Sequence, residues 1–187
     1  MRNLGFQGAK NNREYVVLVD DHDNEIGVEE KSAAHRYPAK LHRAFSLFIL
    51  NDKGQLLIQK RDPSKNTWPG FWSNSCCSHP RPDESITMAA RRRLEEELGF
   101  TCNIEFLFKF QYMAQYDKDW GEHELDYVFF GYHKGPIYPN PTEVDQFAFA
   151  PLSTIEDDLK KNPKAYTPWL RECFGTFSSY VERRGSI

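Results

Sequence analysis

Short runs in which apolar residues dominate or alternate with polar ones recur along the first two-thirds of the chain, a pattern that predicts β-strands. The first two runs flank the polar turn DDHDNE, and Gly54 closes the turn between the next two, so each pair predicts a hairpin. The six predicted strands are YVVLV (15–19), IGVEE (26–30), AFSLFIL (44–50), QLLIQKR (55–61), FLFKFQYMAQY (106–116) and HELDYVFFGYH (123–133).

The strongest helical pattern covers residues 84–98. Pro82 and Asp83 precede it, as is common before a helix start, and Gly99 follows where a C-terminal cap belongs. From about residue 152 onward the pattern is helical again. Strands around a central helix, with helices at the end, predict an α/β (α+β) fold in which helices sandwich a mixed sheet. We expect a single domain over residues 14–187, preceded by a flexible polar segment at 1–13.

Two charged residues interrupt the apolar stripe of the predicted helix. At 100° per residue the stripe is formed by Ile86, Ala89, Ala90, Leu94 and Leu98. Arg93 and Glu97 fall near its middle, where charged residues are rare unless they are paired or bind something. They either form an i, i+4 salt bridge alone, or they border a cavity in which Glu97 holds a divalent cation and Arg93 reaches an anion.

Several metal-binding residue types lie in three distant segments. Glu122 and Glu124 are two residues apart on a predicted strand, so both face the same side, and Cys77 and His79 share that spacing. With His35 and His42, these residues form a candidate mixed N/O site, which suits manganese, iron or zinc better than calcium. Spacing alone does not show that the segments converge. Four scattered basic residues are candidates for binding an anion: Lys31, Arg61, Lys65 and Arg93.

Composition narrows the function classes further. The net charge is −3, and lysine and arginine form no extended basic tract, so we expect neither a nucleic-acid nor a membrane partner. No apolar run approaches the length of a membrane span, and the first residues lack the apolar core of a signal peptide. The four cysteines form no C-x-x-C pair, which favours a reduced, cytoplasmic location.

Together these segments resemble the type I isopentenyl-diphosphate delta-isomerases, a branch of the Nudix-fold superfamily. The resemblance spans roughly residues 14–175, in the expected order and with compatible spacing. It is carried by KSAAH (31–35), LHRAFS (41–46), KGQLLIQKRDPSKNTWPGFWSNSCCSHP (53–80), EEELGF (95–100), GEHE (121–124) and YTPW (166–169).

The Nudix box is degraded in this chain. Ser78 stands where the pattern has glycine, and Arg93 stands where it has the glutamate after Arg92. Nudix hydrolases use the box carboxylates to hold the metals that activate water, so an arginine there argues against hydrolysis. The departure is characteristic of the isomerase branch. A Nudix pyrophosphohydrolase remains the alternative, followed by a catalytically silent metal-binding or interaction module and, less favoured, a thiol-redox role for Cys76 and Cys77.

The resemblance implies conversion of isopentenyl to dimethylallyl diphosphate through a tertiary carbocation, with no organic cofactor. It implies Cys77 and Glu124 as the proton-transfer groups, Tyr112 as an assisting group and Trp169 facing the reacting carbons. One divalent metal, manganese or zinc, would be held by His35, His42, His79, Glu122 and Glu124. The resemblance also implies that four basic residues contact the diphosphate: Lys31, Arg61, Lys65 and Arg93. A magnesium ion that arrives with the diphosphate would be held by Glu97 and the backbone carbonyl of Cys77.

Two physical needs make these groups suitable. A proton must be added to one carbon and removed from another, which two acid–base groups on opposite faces of a flat substrate achieve. The cation then needs stabilisation without capture, which the face of the Trp169 indole offers, in a site closed to water. We expect residues 1–13 to act as a lid, Cys76 to be a small buried residue facing away from Cys77, and the protein to be a monomer or a weak dimer.

Overall fold

The computed structural model describes residues 14–184. The predicted lid, residues 1–13, therefore lies outside the described residues, as do the last three residues of the chain. In chain order the elements are β1 (Tyr15–Val19), β2 (Glu25–Glu30), α1 (Lys31–Ala34), β3 (His42–Leu50), β4 (Gln55–Arg61), β5 (Trp72–Ser73), β6 (Cys76–Ser78), α2 (Ile86–Leu98), β7 (Ile104–Gln115), β8 (Gly121–Tyr132), β9 (Val144–Pro151), α3 (Leu152–Lys161), a short 3₁₀ turn (Pro163–Ala165) and α4 (Pro168–Arg184).

The sheet is mixed because one neighbour of β8 runs parallel to it and the other runs antiparallel. It runs parallel to β3, from the His42–Glu124 pair to the Leu50–Tyr132 pair, and antiparallel to β7, where Tyr112 faces Glu124. A parallel neighbour 82 positions away along the chain is set by tertiary structure, since no short turn can connect parallel strands. The prediction of a mixed sheet with helices is confirmed.

The two predicted hairpins turn out differently. β1 and β2 pair along their whole length, from Tyr15–Glu30 to Val19–Glu25. β3 and β4 pair only at Leu50–Leu56, next to the turn, and then diverge. β3 continues beside β6, where Ser46 faces Cys77, while β4 pairs with β9. The divergence places the cysteine segment β6 against the buried strand β3.

Helices cover both faces of the sheet and bury two apolar clusters. On one face Ala89, Ala90 and Leu94 of α2 pack with Phe45 and Leu47 of β3. On the other face α4 supplies the following buried residues against Phe48, Leu50 and Val128: Leu170, Cys173, Phe174 and Phe177. Burial of this apolar surface is the main source of stability. Within residues 14–184, no helix is both long and apolar enough to cross a membrane.

Helix α2 begins two residues later than the pattern predicts. Ser85 is the N-cap, and its hydroxyl accepts a hydrogen bond from the Met88 amide at 3.3 Å. Glu84 lies before the helix because its carboxylate pairs with Arg92 at 2.7 Å and accepts the Arg81 amide. The predicted C-terminal cap is present, with Gly99 in the left-handed conformation at φ 72°.

We expect Phe177→Ala to lower the free energy of unfolding by about 3–5 kcal/mol. The ring is fully buried, and its centroid is 4.2 Å from that of Phe48, so truncation leaves a cavity between α4 and the sheet. Phe106→Ala is the matched control, since that ring is 49% exposed and its loss should cost less than about 1 kcal/mol. Urea unfolding measures both; equal losses would contradict the packing described for α4.

Candidate active site

A cavity of about 370 Å³ opens between β4, β6, α2, β7, β8 and the start of α4. Every candidate site residue named from the sequence lines this cavity except His42. His42 is fully buried, with its ring 4.6 Å from that of His35, which does line it. Segments that are distant in the sequence therefore meet at one place.

Strand pairing explains how the catalytic candidates meet. Glu122 and Glu124 share one face of β8, and Glu124 is flanked by His42 on β3 and Tyr112 on β7. Cys77 lies across β3 from them, opposite Ser46, and His79 follows at the end of β6. Thus the cysteine segment and the two glutamates approach the same site from either side of β3.

Three imidazoles converge on one carboxylate oxygen. Glu124 Oε1 lies 2.9 Å from His79 Nε2, 3.5 Å from His42 Nε2 and 3.7 Å from His35 Nε2. Potential ligand atoms of these four residues all lie within 4.8 Å of one another. All four side chains are at least mostly buried, which is unusual for charged or polar residues without a bound partner.

The hydrogen bonds of the histidine rings in this cluster suit the binding of a metal ion. The Nδ1 atoms of His35 and His42 lie 2.7 Å from the backbone carbonyls of Lys31 and Lys40, so each Nδ1–H donates there and Nε2 keeps a free lone pair. His42 Nε2 is buried with no hydrogen-bond partner in the described part of the chain. Burial lowers the pKa of His42 and of His79, which favours the neutral ring that binds metals. Burial would also lower the pKa of His35, but the adjacent Glu124 and Glu122 carboxylates outweigh it and raise that pKa.

Glu122 has different neighbours from Glu124. Its Oε1 accepts the Thr67 hydroxyl at 2.9 Å, and its Oε2 lies 2.8 Å from the Tyr112 hydroxyl. The same hydroxyl lies 2.7 Å from Glu124 Oε2, so the tyrosine bridges the two carboxylates. Burial, together with the negative charge of Glu124, raises the pKa of Glu122 to about 7. Glu122 thus borders the histidine cluster, and its contacts are to hydroxyls.

The Cys77 thiol is held by three polar neighbours. It donates to Asn74 Oδ1 at 3.0 Å, accepts the Trp169 indole N–H at 3.0 Å, and lies 3.4 Å from the Ser73 hydroxyl. Burial raises the pKa of this thiol to about 12, so it carries its proton at neutral pH. Asn74 and Ser73 were not singled out from the sequence, although they lie in the same FWSNSCCSHP stretch.

The adjacent thiol is separate from the site. Cys76 is fully buried in the cluster formed with Leu47, Ala89 and Leu94, on the other side of β6. Strand geometry imposes this difference, because consecutive side chains point to opposite faces. All four cysteines are free thiols. Cys76 therefore occupies the small, buried position expected for it.

Aromatic rings form the wall next to the thiol. Trp68, Tyr112 and Trp169 form one buried cluster, with the Trp68 and Trp169 rings perpendicular at 5.6 Å. The guanidinium of Arg61 lies 5.1 Å from the Trp169 ring and bonds the carbonyls of Thr67 and Trp68 at 2.9 and 3.2 Å. One end of the cavity is therefore apolar, and Arg61 marks the start of its cationic end.

At the cationic end, Arg93 and Glu97 form the salt bridge of the first alternative and also border a cavity, as the second alternative requires. Arg93 Nη2 lies 2.6 Å from Glu97 Oε1, so the i, i+4 salt bridge exists. Both side chains also line the cavity, and Glu97 is only 4% exposed. Gln59 holds the second oxygen of Glu97 at 3.1 Å. A buried carboxylate facing a cavity rimmed with cations is a suitable ligand for a hard divalent cation.

Glu143 is a site residue that sequence reasoning missed. Its carboxylate accepts Lys65 Nζ through Oε2 and lies 3.1 Å from Arg93 Nη2 through Oε1. Burial would raise the pKa of Glu143, but Lys65 and Arg93 outweigh that effect and lower it. The residue precedes β9, in the loop segment NPTE that has no strand or helix pattern, so only the three-dimensional position reveals it.

Comparison with known proteins first identifies the protein family. The NUDIX domain family model matches residues 40–172, so this chain belongs to the Nudix family. The fold agrees: DR0079 of Deinococcus radiodurans superposes with a TM-score of 0.72 at 20% identity, covering 87% of this chain and 98% of that one. A MutT protein of Methanosarcina mazei superposes with a TM-score of 0.62 at 21% identity, over 75% and 94%.

Relatives of similar sequence identify the branch of this family. Isopentenyl-diphosphate Delta-isomerase 1 of Photorhabdus laumondii is 49% identical over 162 residues, which cover 85% of this chain and 92% of the relative. Isopentenyl-diphosphate Delta-isomerase 1 of Aromatoleum aromaticum is 48% identical over 158 residues, covering 84% and 89%. Within the Nudix family, the chain therefore belongs to the isopentenyl-diphosphate Delta-isomerases.

Proposed function

We propose that this protein converts isopentenyl diphosphate into dimethylallyl diphosphate by protonation and deprotonation through a tertiary carbocation. The supporting observation is one cavity that combines two proton-transfer groups, Cys77 and Glu124, with an aromatic wall at one end and a cluster of cations at the other. Membership of the isomerase family points the same way.

Cys77 and Glu124 are the proposed proton-transfer groups. One adds a proton to a carbon of the double bond, and the other removes a proton from the neighbouring carbon. Asn74 and the Trp169 N–H orient the thiol, and the Tyr112 hydroxyl orients the Glu124 carboxylate. Because these partners are buried, they hold both groups in fixed positions and exclude water that would capture the cation.

Trp169 and its neighbours are proposed to face the carbon skeleton. The indole stabilises a cation by roughly 0.5–2 kcal/mol through its ring face and offers no nucleophile. Its N–H is already engaged at 3.0 Å with Ser73, Asn74 and Cys77, which fixes the ring plane. The apolar end of the cavity thus protects the reacting carbons.

The proposed diphosphate contacts are Lys31, Arg61, Lys65 and Arg93, which line the opposite end of the cavity. Glu97 and the backbone carbonyl of Cys77 would hold a magnesium ion that enters with the diphosphate. Oxygen ligands suit this hard cation, which neutralises part of the phosphate charge when bound.

A second divalent metal, manganese or zinc, is proposed at His35, His42, His79 and Glu124, with Glu122 as a further ligand. The histidine Nε2 lone pairs and the unpartnered Nε2 of His42 support this site. When bound, the ion would supply positive charge that orients Glu124 and alters its acidity. Glu122 bonds Thr67 and Tyr112, so we expect it to contribute less to metal affinity than Glu124 does.

The isomerisation is tested by incubating the purified protein with isopentenyl diphosphate and magnesium in heavy water. We expect an acid-labile allylic diphosphate that carries deuterium. Unlabelled substrate recovered intact would overturn the proposal. Release of phosphate or pyrophosphate would instead indicate the alternative, a Nudix pyrophosphohydrolase, which Arg93 disfavours because it stands where the box has a metal-binding glutamate.

We further propose a cytoplasmic protein that is a monomer or weak dimer and takes a small prenyl diphosphate, with neither nucleic acid nor membrane as a partner. Four free thiols support a reducing compartment, and the slight negative net charge does not favour binding to polyanions. Sedimentation at several protein concentrations measures the oligomeric state; a single stable higher oligomer would contradict this expectation.

A further inference from the structure

The cations at the diphosphate end are already engaged by the protein itself. Lys31 Nζ lies 2.8 Å from the Glu14 carboxylate, Lys65 binds Glu143, and Arg93 lies 2.6 Å from Glu97. The remaining cation, Arg61, donates to two backbone carbonyls. Since three of the four charges face carboxylates, this end of the cavity is much less positive than its lysines and arginines suggest.

Glu143 differs from the other carboxylates because it contacts two of these cations, Lys65 and Arg93, which lie on separate elements. The three side chains are 20%, 27% and 12% exposed, so water screens these pairs less than the Lys31–Glu14 pair, whose side chains are 36% and 62% exposed.

Backbone hydrogen bonds hold the loop that carries Glu143. The Glu143 amide donates to the Asn140 carbonyl at 3.0 Å, and the Glu143 carbonyl accepts the Asp62 amide at 3.1 Å. The second bond ties the loop before β9 to the start of the segment that carries Lys65. An anion approaching Lys65 and Arg93 therefore meets the carboxylate of a residue whose main chain is held in place.

We propose that Glu143 makes diphosphate recognition conditional on the bound divalent cation, by occupying Lys65 and Arg93 as an internal counter-anion. A diphosphate without metal must displace Glu143 and also approach Glu97, so repulsion opposes its binding. A diphosphate that carries magnesium brings two positive charges to the same carboxylates and meets less repulsion. Glu143 thereby selects the metal complex over the free anion. The inference rests on the diphosphate clamp of the proposed function.

The test measures binding of inorganic pyrophosphate by calorimetry, with and without magnesium. The protein is first loaded with one equivalent of manganese and desalted, and metal content is checked before and after titration. We expect Glu143→Gln to tighten binding of magnesium-free pyrophosphate by about tenfold, the size of a partly screened charge pair. The dissociation constant of magnesium pyrophosphate should change by less. The magnesium-free dissociation constant divided by the one measured with magnesium should therefore fall.

Asp145→Asn is the matched control. It removes the same charge two residues away, where the carboxylate lies 3.6 Å from Lys60 and does not line the cavity. Both dissociation constants of this variant should stay within about twofold of the original protein, because long-range charge effects are screened. Equal shifts in the two variants would mean that net charge alone acts, and the inference would fail.

Glu143→Asp provides a second variant should Glu143→Gln unfold. It keeps the charge and shortens the reach, which weakens the bridge, so its magnesium-free dissociation constant should fall below that of the original protein. Unchanged or weaker magnesium-free binding in the folded variants would overturn the inference. The deuterium experiment on the unaltered protein tests the isomerase function separately, so either idea can fail alone.

Discussion

A Cys77→Ala variant is expected to lose about 10²- to 10⁴-fold in turnover of isopentenyl diphosphate, the range typical for removal of a general acid or base. The Cys77 thiol lines the cavity and is held there by the Trp169 indole and the Asn74 amide. The Ser73 hydroxyl shares both partners but is not among the residues that line the cavity. Turnover is measured by acid-labile product at saturating substrate, so that a change in kcat is separated from one in KM.

Cys76→Ala is the matched control. It removes the same chemical group from the neighbouring residue, but Cys76 is buried in the apolar cluster with Leu47 and Leu94. We expect kcat within about threefold of the original protein, and a loss of stability on the order of 1 kcal/mol. If both alanine variants lost activity equally, the two thiols would act as a pair, and the proton-transfer role of Cys77 would be wrong.

A Glu124→Gln variant is expected to show the larger loss, on the order of 10⁴-fold in kcat or more, because one substitution removes two functions. The amide no longer exchanges a proton with the substrate, and it is a poor ligand among the three imidazoles that now surround the Glu124 carboxylate. Metal content after dialysis against a fixed manganese concentration should therefore fall together with turnover.

Glu122→Gln separates the two effects. Glu122 also lines the cavity but bonds Thr67 and Tyr112, so its amide variant should retain more metal than Glu124→Gln under the same dialysis. Full metal retention in Glu124→Gln would rule out its role as a ligand. Greater metal loss in Glu122→Gln would reverse the order that the geometry indicates.

Local patterns in the sequence predicted the helix and the long strands because these depend on periodicity within one segment. The i, i+2 spacing correctly placed Glu122 and Glu124 on one face, since every strand alternates. β9 was not predicted. Its run VDQFAFAP contains glutamine and alanines, which have little preference for strands, and the segment forms a strand because it pairs with β4.

Convergence of the site could not be read from spacing. His42 and Glu124 become neighbours through the parallel pairing of β3 with β8, which no local pattern encodes. The family resemblance supplied that information instead. Glu143 had no such signal, because its role depends on Lys65 and Arg93 approaching the same loop. Sequence and resemblance therefore indicated most residues of the candidate site, while the internal counter-charges follow only from the three-dimensional structure.

The position of Trp169 in the first turn of α4 has a consequence for how the protein is made. The indole contacts Cys77 at 3.0 Å, and α4 is held to the sheet by Phe174 and Phe177, close to the end of the described chain. During synthesis the cysteine, histidines and glutamates all leave the ribosome before this helix does. A nascent chain therefore has an open, wet cavity until α4 has left the ribosome and docked on the sheet, and catalytic competence should arise only after that step.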